Sequence, residues 1–282
     1  MLRIVIDGAG DMPAAWADQY QIDVIPINIH FGEELYLQGV DLSDEDFYRI
    51  ARETGTIPKT SQPSPHQFVE FYKRIAEPED TILSIHVTGK LSGTFESAEA
   101  AARDLAGSYK VIPFDSGCGS AAMGYMAREV RQMDRSGADL QAILERLEFI
   151  RSHVSILLTL DNLEFARRSG RVKALQAALA SLLNVKPIVA LKDGVLDMSD
   201  RVRTRRRALD YLLDTTRERF GERRINVAVV HAADPESGRT LMERVPQELN
   251  AGDLIMTDLS ISVAANLGPG TVGIVAYPVE SE

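Results

Sequence analysis

"SIHVTGKLSGTFESA", Ser84 to Ala98, is the stretch on which the reading of this chain turns. An apolar run ends near Val87, glycines and small hydroxyl residues take over, and a helix-forming segment begins at Phe95. A buried strand, a tight loop and a helix in that order is the repeating step of an α/β layer. Open α/β sheets bind ligands at the carboxyl ends of their strands, which is where "KLSGT" would lie. Ser92 and Thr94 supply hydroxyl donors there, Gly93 lets a ligand come close to the backbone, and free amides at the helix start favour an anion. A capped helix with no ligand explains the same residues equally well. Gly89-Lys90 does not make a P-loop, because Leu91 stands where Ser or Thr is needed and Ser84 where the first glycine is.

The same alternation extends in both directions. "LRIVID" (2–7), "IDVIPINIHF" (22–31), "TILSIHV" (81–87) and "YKVIPFDS" (109–116) read as strands. Helices are expected between and after them: one capped by Ser43 and answered by Asp46, one with Ser64 as cap, Pro65 at the first helical position and Gln67 at the third, then "FESAEAAARDLA" and "LQAILERLEFIRSH". The second half differs. "PIVALKDGVLDMSDRV" turns at Asp193-Gly194, a strong hairpin signal, amid the strands "VSILLTLD", "INVAVVHAA", "DLIMTDLS" and "TVGIVAYPV". The expected fold is therefore two α/β domains: 1–155 with a mainly parallel sheet, and 156–282 with a mixed sheet.

Composition narrows the function. Of 282 residues, 45% are hydrophobic and 26% charged, as in a soluble globular protein. No apolar run reaches the roughly 20 residues that span a bilayer, so stable membrane insertion is not expected. "MLRIVIDGAGD" reads as strand and turn rather than signal peptide. One cysteine rules out an internal disulfide framework and fits a reducing cytoplasm. A net charge of −10 argues against nucleic acid as the main partner. The local exception is "RVRTRRR" (201–207), five arginines in seven residues: a solvated helix face, or a dock for an acidic partner.

Three further clusters carry candidate chemistry. In "KTSQPSP" (59–65), Ser64 is used as a cap, leaving Thr60 and Ser61 to bond elsewhere. "NLGPGTVG" (266–273) makes a tight backbone before the last strand. Arg171 in "RRSGRV" could offer a guanidinium fork to a carboxylate or phosphate. Each is equally or more simply an ordinary loop, turn or surface arginine. Catalytic patterns are weak. Cys118 sits among small residues beside a possible helix start that would lower its pKa, Asp7 and Asp11 could form an acid pair, and the five histidines lack metal-site spacing. No catalytic residue, metal or cofactor is assigned.

Together these segments resemble the DegV family of bacterial fatty-acid-binding proteins. The resemblance runs nearly end to end and rests on "VIDGAGDMP", "GVDLSDEDFY", "KTSQPSPHQFVEFY", "ILSIHVTGKLSGTFESA", "DNLEFARRSGRV", "SLLNVKPIVALKDG", "VRTRRRAL" and "GPGTVG". It implies two α/β domains with a long-chain fatty acid in a tunnel between them, its carboxylate held by hydroxyls of the T-S-Q-P and S-G-T motifs. It further implies a non-enzymatic carrier that presents the fatty acid to a separate kinase, which forms an acyl phosphate for phospholipid synthesis. By position the ligand residues are Thr60, Ser61, Ser92, Gly93, Thr94, Arg171, Asn266 and Gly268, and the partner-docking residues Arg201, Arg203, Arg205 and Arg206. "ALQAALASLLN" (174–184) offers a tunnel wall or plain core. Two departures stand out: Asn266 occupies the position of the family's histidine, and Gly8 and Ala9 lack the hydroxyls of the usual D-S-T-x-D. Asparagine donates a hydrogen bond but shuttles no proton. The alternatives are a lipid or metabolite sensor uncoupled from a kinase, and an acyl- or phosphoryl-group enzyme using Cys118 or Asp7 with Asp11.

Overall fold

The computed structural model describes residues 1–161, 163–173 and 185–279. The chain divides into two units, Met1–Arg151 with Ser260–Ser262, and Ser152–Leu259 with Val263–Glu282.

Unit 1 is built on strands whose residues are apolar on both faces. β1 (Leu2–Asp7) and β6 (Thr81–His86) lie side by side, with Ile4, Val5, Ile6, Ile82, Leu83 and Ile85 closed to solvent. With β2 (Ile22–Ile25) and β7 (Lys110–Asp115) they form a wholly parallel sheet, ordered β2-β1-β6-β7. A sheet covered on both faces selects such runs over alternating ones. The strands are joined by α1 (Ala15–Gln19), α2 (Asp44–Thr54), α3 (Pro65–Ile75) and α4 (Thr94–Asp104), and α5 (Ala121–Arg135) and α6 (Leu140–His153) follow β7. Phe68, Phe71 and Tyr72 of α3 pack with Val5, Ile25, Ile82, Ala98 and Ala101. At α3 the capping box closes in both directions, Ser64 Oγ accepting from Gln67 N–H and Gln67 Oε1 from Ser64 N–H. At α2 only half of it forms: Ser43 Oγ accepts from Asp46 N–H but donates to the Asp46 carboxylate.

"IDVIPINIHF" is two strands rather than one. Pro26 has no N–H to give a ladder; β2 stops at Ile25, and β3 (Asn28–Phe31) enters a separate antiparallel sheet with β4 (Glu34–Leu37) and β5 (Lys59–Ser61), ordered β4-β3-β5.

Unit 2 carries a seven-stranded mixed sheet ordered β13-β12-β14-β8-β10-β11-β9. Its strands are β8 (Ser155–Thr159), β9 (Val172–Lys173), β10 (Lys186–Lys192), β11 (Val195–Val202), β12 (Ile225–His231), β13 (Ala251–Asp258) and β14 (Val272–Pro278). The β10–β11 hairpin pairs Lys192 with Val195 across Asp193 and Gly194, whose φ values of 48° and 74° are the left-handed pair a two-residue hairpin turn requires. The helices are α7 (Leu163–Ser169), α8 (Arg205–Phe220), α9 (Pro235–Glu248) and α10 (Ile261–Leu267). Leu209, Leu212 and Leu213 of α8 and Leu241 and Val245 of α9 pack on Ile188, Val227, Val229 and Ile274. The apolar stretch 174–184 lies outside the described residues.

Candidate functional site

The loop read first from sequence leaves β6 as expected and begins α4 at Thr94. Gly93 is the N-cap, and no side chain caps the helix. Ser92 is half-buried, while Thr94 is closed to solvent with its Oγ1 2.8 Å from Ser92 Oγ. Thr94 therefore supports the Ser92 hydroxyl from behind. At Gly89-Lys90 the surroundings are acidic: Gly89 N–H donates to Asp115 Oδ2, and a Cβ on Gly89 would lie 2.9 Å from Glu96 Oε1. Two carboxylates beside that turn oppose a phosphate there.

The second hydroxyl cluster lies on β5. Thr60 pairs with Ile29 and Ser61 with Asn28. Successive side chains of a strand point to opposite faces, so the pleat separates two hydroxyls that the sequence reading takes together. Ser61 shares its face with His30, whose Nε2 is 2.8 Å from Ser61 Oγ. Beyond the strand the Gln62 carbonyl accepts from Asn28 Nδ2, and Asn28 Oδ1 accepts from Gln67 Nε2 on α3. This clamp places the Gln62 side chain over the other loop: a Cβ on Gly93 would lie 2.9 Å from Gln62 Nε2. Unit 1 thus brings the two motifs together through a glutamine and an asparagine that the sequence reading passed over. Gln62 follows a hydroxyl residue in an otherwise ordinary loop and Asn28 opens β3 after an apolar one, and only the fold shows what they join.

Below these loops runs a buried polar line. Asp7 Oδ1 accepts from Ala9 N–H, and Oδ2 from Val87 N–H at 2.9 Å and from His86 Nδ1 at 3.1 Å. His86 Nε2 is 2.7 Å from Ser84 Oγ, which accepts from Tyr72 OH at 2.8 Å. Burial raises the Tyr72 phenol well above its ordinary pKa and keeps it a donor. With the Tyr72 hydroxyl donating to Ser84 Oγ, the serine donates to Nε2 and the imidazole N–H at Nδ1 faces Asp7. Although this is a Ser-His-Asp series, every member is closed to solvent, so it braces the loop after β6 rather than meeting a substrate. Its sequence signal is the two-residue spacing of Ser84 and His86 on one face of β6.

Asp11 has separate donors, Ser120 Oγ at 2.5 Å and Ser260 N–H at 2.8 Å; burial pushes its carboxyl up to about 6. Ser120 holds a left-handed φ of 56°, its N–H on the Ala9 carbonyl. Ser262 Oγ donates to the Gly8 carbonyl. These bonds explain why Ser260–Ser262 belongs to unit 1 while its flanks belong to unit 2. Cys118, for which a helix start offered activation and an inert core position the commoner outcome, is inert: it is fully buried, and burial raises its thiol to about 12.

In unit 2, Arg171 follows α7 and precedes β9. It is half-buried, Nη1 donates to the Ser169 carbonyl at 2.8 Å, and burial lowers its pKa. No carboxylate pairs with it among the described residues. Asn266 and Gly268 end α10 ahead of β14, with Gly268 N–H on the Ala264 carbonyl. Three strands stand between β9 and β14 in the sheet, so sheet order alone does not bring Arg171 to this turn. Of the arginine run, Arg201, Arg203 and Arg206 are exposed, whereas Arg205 is half-buried and bonded to Asp234 and the Gly270 carbonyl. Among the described residues no group of three His, Cys, Asp or Glu could hold a metal ion, and no helix is long and apolar enough to cross a membrane.

Residues 1–279 match the family model described as uncharacterised protein, DegV family. The chain belongs to the DegV family. It is similar to a fatty-acid-binding DegV family protein from Thermus thermophilus, with 31% identity, a TM-score of 0.90 and 99% of each chain covered. DegV from Bacillus subtilis, a fatty-acid-binding protein, superposes with a TM-score of 0.86 at 27% identity over 98% of this chain and 99% of its own. A Thermotoga maritima protein named fatty acid-binding protein is 28% identical over 96% of each chain. Fatty-acid binding is thus a property of solved and curated DegV relatives, and the two-domain mixed α/β fold is shared with them.

Proposed function

We propose that this DegV protein binds one long-chain fatty acid, with Ser92 as the principal hydroxyl donor to its carboxylate. The observation that carries the reading is the meeting of the T-S-Q-P and S-G-T loops at Gln62 and Gly93, beside a helix start with no side-chain cap. An ionised carboxylate suits that end, where amides and hydroxyls converge. Thr60, Ser61, Gly93 and Thr94 complete or support this cradle. Arg171 and Asn266 are proposed as further polar contacts, and Gly268 as the backbone that lets the ligand approach its turn, on the strength of the motifs they match. Arg171 adds a physical argument, since a desolvated guanidinium without a carboxylate partner favours an anionic ligand. Burial of the acyl chain would contribute about 0.8 kcal/mol per methylene, so the tail supplies affinity and the polar groups supply orientation.

The finer proposal is that this cytoplasmic carrier, needing no cofactor and catalysing nothing itself, presents the carboxylate to a separate ATP-dependent kinase for acyl-phosphate formation and phospholipid synthesis. Exposed Arg201, Arg203 and Arg206 would meet that partner. Asn266 favours a second reading, a lipid sensor without a kinase, because asparagine moves no proton.

Mass spectrometry of the purified protein, native and then denatured with organic extraction, tests the first step. A fatty acid released in near one-to-one ratio is expected. A protein that is empty and takes up no added oleate would overturn the carrier reading. Incubating the loaded protein with ATP and a bacterial fatty acid kinase then separates the two readings, with acyl phosphate expected for the carrier and none for the sensor. Asn266→His should raise its yield if the kinase reading holds.

A further inference from the structure

Arg205 sits in a run of exposed arginines but does something different from its neighbours. It is the first residue of α8, and its Nη2 donates both to Asp234 Oδ2 at 2.7 Å and to the Gly270 carbonyl at 2.5 Å. Asp234 is itself the N-cap of α9, accepting from Ser237 N–H on its other oxygen. Gly270 belongs to the turn between α10 and β14, the turn that carries the glycines of the family motif. One guanidinium nitrogen therefore joins the starts of two helices to that turn.

The rest of the turn is tied to the same strand end. Gly270 N–H donates to the Ala232 carbonyl, Ala232 N–H to the Thr271 carbonyl, and Thr271 Oγ1 to the Gly268 carbonyl at 2.8 Å. On its remaining side a Cβ at Gly270 would lie 2.6 Å from Asp161 Cβ, so the backbone has no room to relax in that direction. Gly268 and Gly270 hold φ values of 89° and 78°, which side chains rarely adopt. The turn's carbonyls are held as well, Gly268 by Thr271 Oγ1, Thr271 by Ala232 N–H and Gly270 by Arg205. Arg205 incurs a cost in that position, because its Nη1 is buried with no hydrogen-bond partner among the described residues.

We propose that Arg205 is a positioning residue for ligand binding, fixing the Gly268–Thr271 turn and through it the side chain that Asn266 offers to a carboxylate, and is not a docking residue for a protein partner. This rests on the head-group reading of Asn266.

The test uses the full chain, with no partner present, and oleate carrying carbon-13 at its carboxyl. Affinity is read by displacement of a fluorescent fatty acid and the head-group environment by the carboxyl resonance. Arg205→Met should weaken oleate about ten-fold, the scale of one charge-assisted hydrogen bond, and move the resonance. Arg205→Lys should recover much of both, since an ammonium can reach one of the two acceptors. Arg207→Met, on the same helix and exposed, should change neither. Wild-type affinity and resonance in Arg205→Met, while Asn266→Ala moves them, would overturn the positioning role and leave the head-group reading standing. A lowered melting temperature with an unmoved resonance overturns it too, reducing Arg205 to a structural bond. If Asn266→Ala moves nothing, the head-group reading of this turn fails and the proposal with it. Should Arg205→Met not fold, Asp234→Asn, which weakens the other half of the clamp, decides by the same resonance: movement supports the role, and none overturns it.

Discussion

His86 Nδ1 and the Asp7 carboxylate lie 3.1 Å apart with both side chains closed to solvent. Asp7 also accepts the Val87 N–H, the last amide before the ligand loop. Asp7→Asn turns an acceptor into a group that must present N–H to one of its present donors. The expected cost is about 2–4 kcal/mol of folding stability. Tyr72→Phe, which removes only the outermost bond of the line, should cost about 1 kcal/mol. Urea denaturation of both variants checks the order, and equal losses would contradict the line as drawn.

Asp11 makes stability depend on pH in an identifiable window. Burial raises its carboxyl from 3.8 to about 6, so between those values the folded chain holds a proton that the unfolded chain has released. Stability from this group is therefore greatest below 3.8 and declines as pH rises through about 6. The decline amounts to roughly 3 kcal/mol as an order of magnitude. Asn in its place can still accept from Ser260 N–H and carries no charge. The stability of Asp11→Asn relative to wild type should rise across that window, and denaturation curves that stay parallel would sink the assignment.

Much of the fold was legible where one local force decides. β1 and β6 are apolar on both faces and fully buried, and the left-handed turn at Asp193-Gly194 closes a hairpin by backbone chemistry alone. Ser64 and Gln67 form their box from four residues. What escaped depends on partners distant in sequence. Pro26 sends β3 into its own sheet because β4 and β5 are there to pair with it. Asp11 and Gly8 draw Ser260 and Ser262 into unit 1 from about 250 residues away. At the site, Ser92 and Gly93 could be named from the strand-loop-helix pattern. Gln62 and Asn28 could not, because neither period nor motif says which loop a lone polar side chain will reach, and the spacing of Ser84 and His86 puts them on one face without naming Asp7 or Tyr72 as partners. The arginine run misled in the opposite sense: composition makes Arg205 a surface charge, and Asp234 and Gly270 make it a clamp.

Ser92 and Thr94 should behave as one unit in ligand binding. Ser92→Ala removes a hydroxyl from the proposed carboxylate contact and should weaken oleate by about 1.5–3 kcal/mol. Thr94→Val leaves Ser92 in place without its supporting hydroxyl 2.8 Å away and should weaken binding less. Because Thr94 acts through Ser92, the double variant should bind like Ser92→Ala alone, a coupling that calorimetry reads directly. Additive losses would mean that Thr94 touches the ligand independently.

Gly93 tests whether the two loops really work together. An added methyl would lie 2.9 Å from Gln62 Nε2, the far end of a flexible side chain, so the amide can swing away at little cost to the fold. Gly93→Ala should therefore change stability by no more than about 1 kcal/mol. It should nevertheless weaken fatty-acid binding, because the displaced amide and the new methyl both occupy the approach to Ser92. Gln62→Ala removes the collision, so adding it to Gly93→Ala should recover part of the affinity if the displaced amide is what blocks the carboxylate. No recovery, with both proteins folded, would locate the damage at the Gly93 methyl itself and leave Gln62 a bystander.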